Sequence, residues 1–333
     1  MAELLDFEEP IAVLQKEIEA LRLMPSTPER LAAIQQLEDR STSLRVEIYA
    51  TLKPWQRVQV ARHPNRPCML DYVERLFQEF TEIHGDRRFA DDTAIVAGFG
   101  LYHGQPVAIV GHQKGRDTKQ KIYRNFGYAR PEGYRKAMRV MKLAEKFHEP
   151  VIVFIDTPAA YPGIESEERG VAEAIAVNLR EMALLDTPIV VVVCGEGGSG
   201  GALGLAVGDR VLMQEFGIYS VIPPEGCAAI LWRDAQRKVE AAEALKITAP
   251  DLLALGLIDE VVKEPPGGAH LDYDRAAALV DEAVTRHLAD LQAMTPEARL
   301  DARYRKFRDM GHAGQSFVDE GAPAGSRAPG QAG

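Results

Sequence analysis

Apolar residues recur along this chain at two different periods, and the change between them divides it. In the first fifty residues the spacing is helical. Ile11, Leu14, Ile18 and Leu21 share one face, "MPSTPER" breaks the run, and Leu31, Ile34, Leu37 and Leu44 resume it. Ser26 or Thr27 can cap the second helix. This hairpin either packs on its own core or reaches as an arm over a partner subunit. From about residue 50, helical stretches alternate with wholly apolar runs. "DYVERLFQEFTEI" predicts an amphipathic helix, and "TAIVAGFGLYHGQPVAIVGHQ" predicts two strands turning at His103–Gly104. A helix in "PEGYRKAMRVMKLAEKFH", a buried strand in "PVIVFID", one long helix in "ESEERGVAEAIAVNLREMALLD" and a buried strand in "PIVVVVC" come next. Then come short strands in "RVLMQE" and "IYSVI", a helix near 235–246, a strand in "LIDEVV" and a helix from Tyr273 to about Gln292. Apolar strands between helices imply an α/β fold whose parallel sheet is covered by helices. The expected division is a helical arm over 1–49, one domain over 50–292, and a C-terminal helix and tail over 293–333. The tail, "GHAGQSFVDEGAPAGSRAPGQAG", is too poor in apolar residues to pack and reads as disordered.

Composition narrows the class. The 333 residues are 46% hydrophobic, enough for a large core, and the net charge of −10 argues against a nucleic-acid binder. Three cysteines without a CxxC offer neither a cysteine zinc site nor a disulfide framework. The isolated histidines lack ligand spacing, so no metal is assigned. The start has no signal-peptide pattern and no apolar run reaches membrane-spanning length, so a soluble cytoplasmic protein is expected. Against the acidic background, "HQKGRDTKQKIYRNFGYARPEGYRK" gathers cations. It is either a solvated loop or a surface on which Lys114, Arg116 and Lys119 meet coenzyme A phosphates or an acidic partner. Glu165, Glu167 and Glu168, with Arg169, open a helix where carboxylates suit the N-terminal dipole. Asp156 reads as a loop anchor, and Cys194 and Cys227 as buried small apolar residues.

The candidate chemistry lies after the apolar run Ile189–Cys194, where Gly195, Gly197, Gly198, Gly200 and Gly201 fall within seven positions. Such density implies close backbone approach. "GEGGSG" fits the dinucleotide fingerprint, with Glu215 further on, but only eight residues, Ala202 to Asp209, precede the next strand. A crossover usually needs at least ~10–12. "GGSGG" fits the hydrolase elbow, with Ser199 as nucleophile and His270 or His287 as base. A Walker A loop is excluded, since no "GK[ST]" occurs. The third reading is an oxyanion hole: a strand ends, a glycine pair comes after it, and a helix starts with unsatisfied N–H groups. Side chains at Gly200 or Gly201 would then obstruct the bound oxygen. "FIDTPAAYPGIESEERG", one strand–helix unit earlier, would form the other wall.

With "ARHPNRPCMLDYV", "GHQKGRDTKQKIYRNFG", "FIDTPAAYPG", "GEGGSGGALGLAVGD", "SVIPPEGCAAILW" and "PPGGAH" in place, the chain closely resembles the alpha subunits of bacterial acetyl-CoA carboxylase carboxyltransferases. The likeness runs from "LDFEEPIAVLQ" to "ARYRKFRDMG". It implies a crotonase-like fold, a spiral of β-β-α units behind the helical arm. It also implies transfer of a carboxyl group from carboxybiotin to acetyl-CoA, giving malonyl-CoA for fatty acid synthesis. The implied partners are a zinc-ribbon beta subunit binding most of acetyl-CoA, in an alpha2-beta2 assembly, a biotin carboxyl carrier protein holding the biotin, and biotin carboxylase. ATP use belongs to that complex. By the same resemblance the N–H groups of Gly200 and Gly201 hold the biotin ureido oxygen, and Ala159, Ala160, Gly163, Gly197 and Gly198 line the biotin site. No side-chain base is then needed, because the biotin anion takes the methyl proton. One departure stands out: the family usually reads "TPGAYPG", whereas Ala159 occupies the first glycine position here. Alanine costs little there at negative φ and ~1–2 kcal/mol in the left-handed region. Pro223 and Glu165 are also bulkier than usual. A hydratase or isomerase using the Glu165–Glu168 carboxylates, and a non-catalytic scaffold completing a partner's site, remain open at this point.

Overall fold

The computed structural model describes residues 5–311, so the tail that reads as disordered lies, beyond Gly311, outside the described residues. The first two helical patterns form α1 (Glu9–Arg22) and α2 (Pro28–Ala50). Thr27, not Ser26, is the cap, its hydroxyl accepting the Arg30 N–H at 3.3 Å. Ile11, Leu14 and Ile18 are buried, whereas Leu31 is exposed. Tyr49 ties the hairpin to the sheet domain, its ring meeting Phe7 and Phe216 edge-on at 5.7 and 5.4 Å. The Tyr49 hydroxyl donates to Glu8 at 2.8 Å.

After α3 (Pro54–Ala61) and α4 (Met69–Leu76) the chain enters a sheet through β1 (Phe77–Glu82), β2 (Ile95–Tyr102) and β3 (Gln105–His112). Here the structure corrects the sequence reading: residues 71–83 are not one helix. Phe77 leaves helical spacing to pair opposite Tyr102 on β2, with ring centroids 5.2 Å apart. An aromatic residue gains more on that half-buried pleated edge than in another helical turn. The β2–β3 hairpin turns at His103–Gly104, as its alternation implied.

Beyond α5 (Thr118–Tyr123), α6 (Pro131–Phe147) leads to β4 (Val151–Thr157). The expected long helix over 165–186 is two, α7 (Ile164–Glu168) and α8 (Val171–Leu184). Gly170 stands between them at φ +77°, a left-handed turn that ends a helix. The carbonyl of Arg169 there accepts from the Arg135 guanidinium. β5 (Ile189–Gly198) then runs through the glycines themselves before α9 (Ser199–Leu203), β6 (Arg210–Gln214) and β7 (Ile218–Ser220). α10 (Pro224–Trp232), α11 (Lys238–Ala244), α12 (Ala249–Ala254), β8 (Glu260–Val262), α13 (Tyr273–Gln292) and α14 (Pro296–Asp309) complete the described chain.

The strand order is β1-β2-β3-β4-β5-β6-β8, antiparallel through β3 and parallel from β3 onward, with β7 paired to the far end of β5. The period of two sorts the apolar strands between two cores. Val153, Ile155, Val191 and Val193 pack with α6 and α8, while Ile152, Phe154, Val190 and Val192 pack with α4 and α13. With both faces covered, functional groups are left to the sheet's edges and strand ends. Among the described residues no helix is long and apolar enough to cross a membrane.

Candidate functional site

Strands β4 and β5 end side by side, with Thr157 opposite Gly197. On its other side Gly197 pairs with Tyr219 of β7. The glycine segment is therefore the middle of three strands at their carboxyl ends, the usual place for a ligand in a parallel sheet. Close approach explains its composition. A Cβ on Gly198 would stand 1.8 Å from the Pro158 carbonyl oxygen, so the two strand-end loops touch backbone to backbone. A Cβ on Gly201 would stand 2.4 Å from the Ala159 carbonyl carbon and 2.5 Å from the Ala160 nitrogen. Gly201 is thus required by its own chain, a different reason from the bound oxygen that the glycine pattern suggested. Gly200 has no such neighbour, because its Cβ would meet only the Ile175 side chain at 3.6 Å.

A cleft of about 630 Å³ opens here, lined by Pro158, Ala159, Gly197, Gly198 and Ser199 on one side and by the segment Ile218–Glu225 on the other. A second cleft of about 400 Å³ adjoins it, and Arg62, Tyr128, Pro158 and Glu196 line both. The shared wall is a charge network. Glu196 accepts from Arg62 at 2.7 Å and from Lys114 at 2.8 Å. Arg62 also donates to Glu225 at 2.6 Å, and Lys114 lies 2.7 Å from Asp156. Asp156 accepts the Glu196 N–H at 2.9 Å, which makes it the loop anchor expected of it. Burial opposes ionisation of Glu196, yet Lys114 and Arg62 outweigh it and hold its pKa at about 2. Burial likewise works against charge on Lys114, and Asp156 and Glu196 overcome it, holding that amine above its ordinary value.

Of the residues singled out in the sequence, the structure brings Ala159, Gly197, Gly198 and Ser199 into one wall. Ala160, Gly163, Gly200 and Gly201 are not part of the lining, and Gly201 is buried. Ala159 is not among the residues at positive φ, so alanine is unstrained there. The three cations do not form one free surface. Lys114 faces the cleft in its ion pairs, Arg116 grips Asp71 with two bonds of 2.8 and 2.7 Å, and only Lys119 is exposed with no ion pair in the described structure. Ser199 does occupy a left-handed elbow at φ +47°. However, His287 is bonded to Glu260 at 2.7 Å and His270 stacks on His63 at 4.0 Å. No histidine lines this cleft among the described residues, so the elbow has no base. Glu165, Glu167 and Glu168 do not line it either. Sequence reasoning missed Arg62, Tyr128, Glu196 and Glu225. Glu196 sits inside the glycine motif, but the glycines drew the attention.

Comparison with known proteins places the chain. The family model described as acetyl co-enzyme A carboxylase carboxyltransferase-like matches residues 4–311. The acetyl-coenzyme A carboxylase carboxyl transferase subunit alpha of Geobacter metallireducens is 56% identical over 307 residues, 92% of this chain and 96% of that one. The subunit of the same name from Oceanobacillus iheyensis is 52% identical over 313 residues, 93% and 99% of the two chains. Among solved structures, transcarboxylase 12S superposes with a TM-score of 0.54 at 19% identity, over 67% of this chain and 42% of the other. A Pseudomonas malonate decarboxylase hetero-tetramer in complex with coenzyme A gives 0.54 at 16% identity, over 65% and 86%. At these identities the solved structures speak to the fold, which is the crotonase-like one.

Proposed function

The chain belongs to the acetyl-CoA carboxylase carboxyltransferase alpha-subunit family, and from that premise we propose how its cleft takes part in the reaction. The activity is that of a transferase subunit in a biotin-dependent carboxylase: carboxyl transfer to acetyl-CoA, giving malonyl-CoA. The cleft between the β4 and β5 ends receives the biotin end. One observation carries this reading. The carboxylates lining the cleft, Glu196 and Glu225, are held by Arg62 and Lys114, so the wall offers backbone amides and apolar surface instead of an acid–base pair.

That donor set fits biotin, whose bicycle is uncharged and whose ureido oxygen accepts hydrogen bonds. The volume lies within the ~300–1,000 Å³ of small-molecule sites. Pro158, Ala159, Ile218, Val221 and Ile222 bury the rings and exclude water. Gly200 and Gly201 come directly after the lining residue Ser199 at the start of α9, where first-turn amides have no acceptor within the helix, and their N–H groups hold the ureido oxygen as charge develops. With five residues, α9 supplies donors but little macrodipole. When bound, biotin supplies the carboxyl group and the base that takes up the acetyl proton; the chain's own part is to hold, orient and desolvate. The Arg62–Glu196–Lys114–Asp156 network keeps the β4 and β5 ends in register.

Stabilising a second anion, on the acetyl thioester, needs a second set of donors, which a beta-type subunit provides. Val221 at the cleft, with Ile230 and Leu231 on α10, is 64–75% exposed and suits burial by that partner. A separate carrier for biotin, a zinc ribbon on the partner, an alpha2-beta2 assembly and an associated biotin carboxylase complete the proposal. Reconstitution tests it. Malonyl-CoA and biocytin should turn over with both subunits and not with this chain alone. Turnover by this chain alone, once mass spectrometry excludes contamination by the partner, would refute the shared site, and hydration of enoyl-CoA would refute the reaction.

A further inference from the structure

Behind the glycine turn, two polar groups stand where an apolar core would serve packing as well. Tyr134 of α6 is fully buried and its hydroxyl donates to the Gly201 carbonyl at 3.3 Å. His112, the last residue of β3, is also fully buried, and neither ring nitrogen has a hydrogen-bond partner among the described residues. Burial, then the nearby Lys114, pushes its pKa down to about 3, so the ring is neutral and keeps one N–H donor. A buried polar group of this kind calls for a reason.

For Tyr134 the remaining contacts supply one. Asn178 of α8, 1% exposed, donates to the Gly204 carbonyl and to the Tyr134 carbonyl, both at 3.0 Å. The Tyr134 ring lies against Gly204, where a Cβ would come within 2.8 Å of it. The Gly200 carbonyl accepts the Gly204 N–H at 3.0 Å. The carbonyls of Gly200, Gly201 and Gly204 are thus all engaged on the side away from the strand end. Within a planar trans peptide the N–H points opposite to the carbonyl. The Gly201 N–H is therefore set by the Gly200 carbonyl, which is held by Gly204, itself backed by the Tyr134 ring and Asn178, while the Gly201 carbonyl held by the Tyr134 hydroxyl fixes the plane that follows, with the Ala202 N–H.

We propose that Tyr134 is a positioning residue for the reaction, holding the carbonyl side of residues 200–204 so that the N–H groups at the start of α9, Gly201 above all, keep their aim. The proposal rests on the reading of those N–H groups as the donors to the ureido oxygen. Asn178 locks Tyr134 to the same turn, so two elements, α6 and α8, grip it from behind.

The test uses the complex reconstituted with its beta-type partner and the variant Tyr134→Phe, which keeps the ring and removes the hydroxyl on Gly201. Two readouts are needed: kcat and KM with malonyl-CoA and biocytin, and amide hydrogen exchange of the segment 195–206. Tyr134→Phe should lower kcat about 10-fold, less than loss of a direct donor, with KM within about two-fold. Exchange at 199–204 should quicken at least about 5-fold while the rest of the sheet is unchanged. Tyr134→Phe removes one oxygen atom from a buried ring, and thermal unfolding beside the wild type checks that it folds. Exchange at the wild-type rate would overturn the proposed grip. Faster exchange with wild-type kcat would overturn the reading of these amides as donors, and the positioning role with it.

Discussion

Replacing Gly201 by alanine should damage this protein far more than the same change one residue earlier. The added Cβ would lie 2.4 Å from the Ala159 carbonyl carbon and 2.5 Å from the Ala160 nitrogen, against 3.4–4 Å for ordinary contact. Both obstacles are backbone, so a rotamer change cannot relieve them. The β4-end loop must retreat by about 1 Å, and overpacking of this kind costs ~1–3 kcal/mol. For a chain of this size that lowers Tm by roughly 1–4 °C. The retreat also moves the Pro158–Ala159 wall away from Gly197–Ser199, and a displacement of ~1 Å can cost ~10²-fold in rate. At Gly200 the Cβ meets only the Ile175 Cδ1 at 3.6 Å, so Gly200→Ala should keep its stability within about 1 kcal/mol. The assay is thermal unfolding of each variant, then malonyl-CoA and biocytin turnover in the reconstituted complex. Wild-type stability and rate in Gly201→Ala, or equal destabilisation by Gly200→Ala, would refute the reasoning.

The same wall carries other expectations. Ser199→Ala should keep kcat within about three-fold, since no histidine lines the cleft beside it; abolished turnover would reinstate the nucleophile elbow. Glu196→Gln leaves Lys114 and Arg62 short of a partner and should destabilise by up to ~3–5 kcal/mol in denaturant unfolding, whereas a change under ~1 kcal/mol would mean the network does not bind the strand ends. Because the Glu196 pKa falls from 4.5 to about 2 on folding, its contribution is complete above pH 4.5 and lost as pH falls through about 2. Wild type should therefore lose about 3 kcal/mol more than Glu196→Gln across that window, and identical acid sensitivity would contradict the ion pairs. Lys119→Glu should raise KM for malonyl-CoA by no more than ~2–3-fold, as befits one exposed charge; a loss of tenfold or more would make the basic loop a coenzyme A surface.

The parts of the fold that were legible in the sequence are those whose residues answer to one demand. Ile189–Cys194 is buried on both faces and reads as a strand in any context. Tyr273–Gln292 keeps one apolar stripe and reads as a helix with its bounds correct. Phe77–Glu82 answers to two demands: its spacing suits a helix, and the open edge of β2, invisible locally, makes it a strand. Gly170 looked tolerable inside a helix because Arg135 and Glu132, which fix its turn, lie over thirty residues away. In the site, glycine density marked the place correctly but not the cause at Gly201, since the Ala159–Ala160 peptide comes from another strand end. The Arg62–Glu196–Lys114–Asp156 wall joins four separate segments, and no spacing rule reaches across them.

That the biotin end is held where β4 and β5 end is tested most directly by photolabelling. A biocytin carrying a short photoreactive group is irradiated with the assembled complex, and the labelled peptides are mapped by mass spectrometry. Label should fall on 157–161, 197–201 or 218–225 of this chain and be suppressed by unmodified biocytin. Competable label confined to the partner subunit, or to surfaces of this chain remote from that cleft, would contradict it.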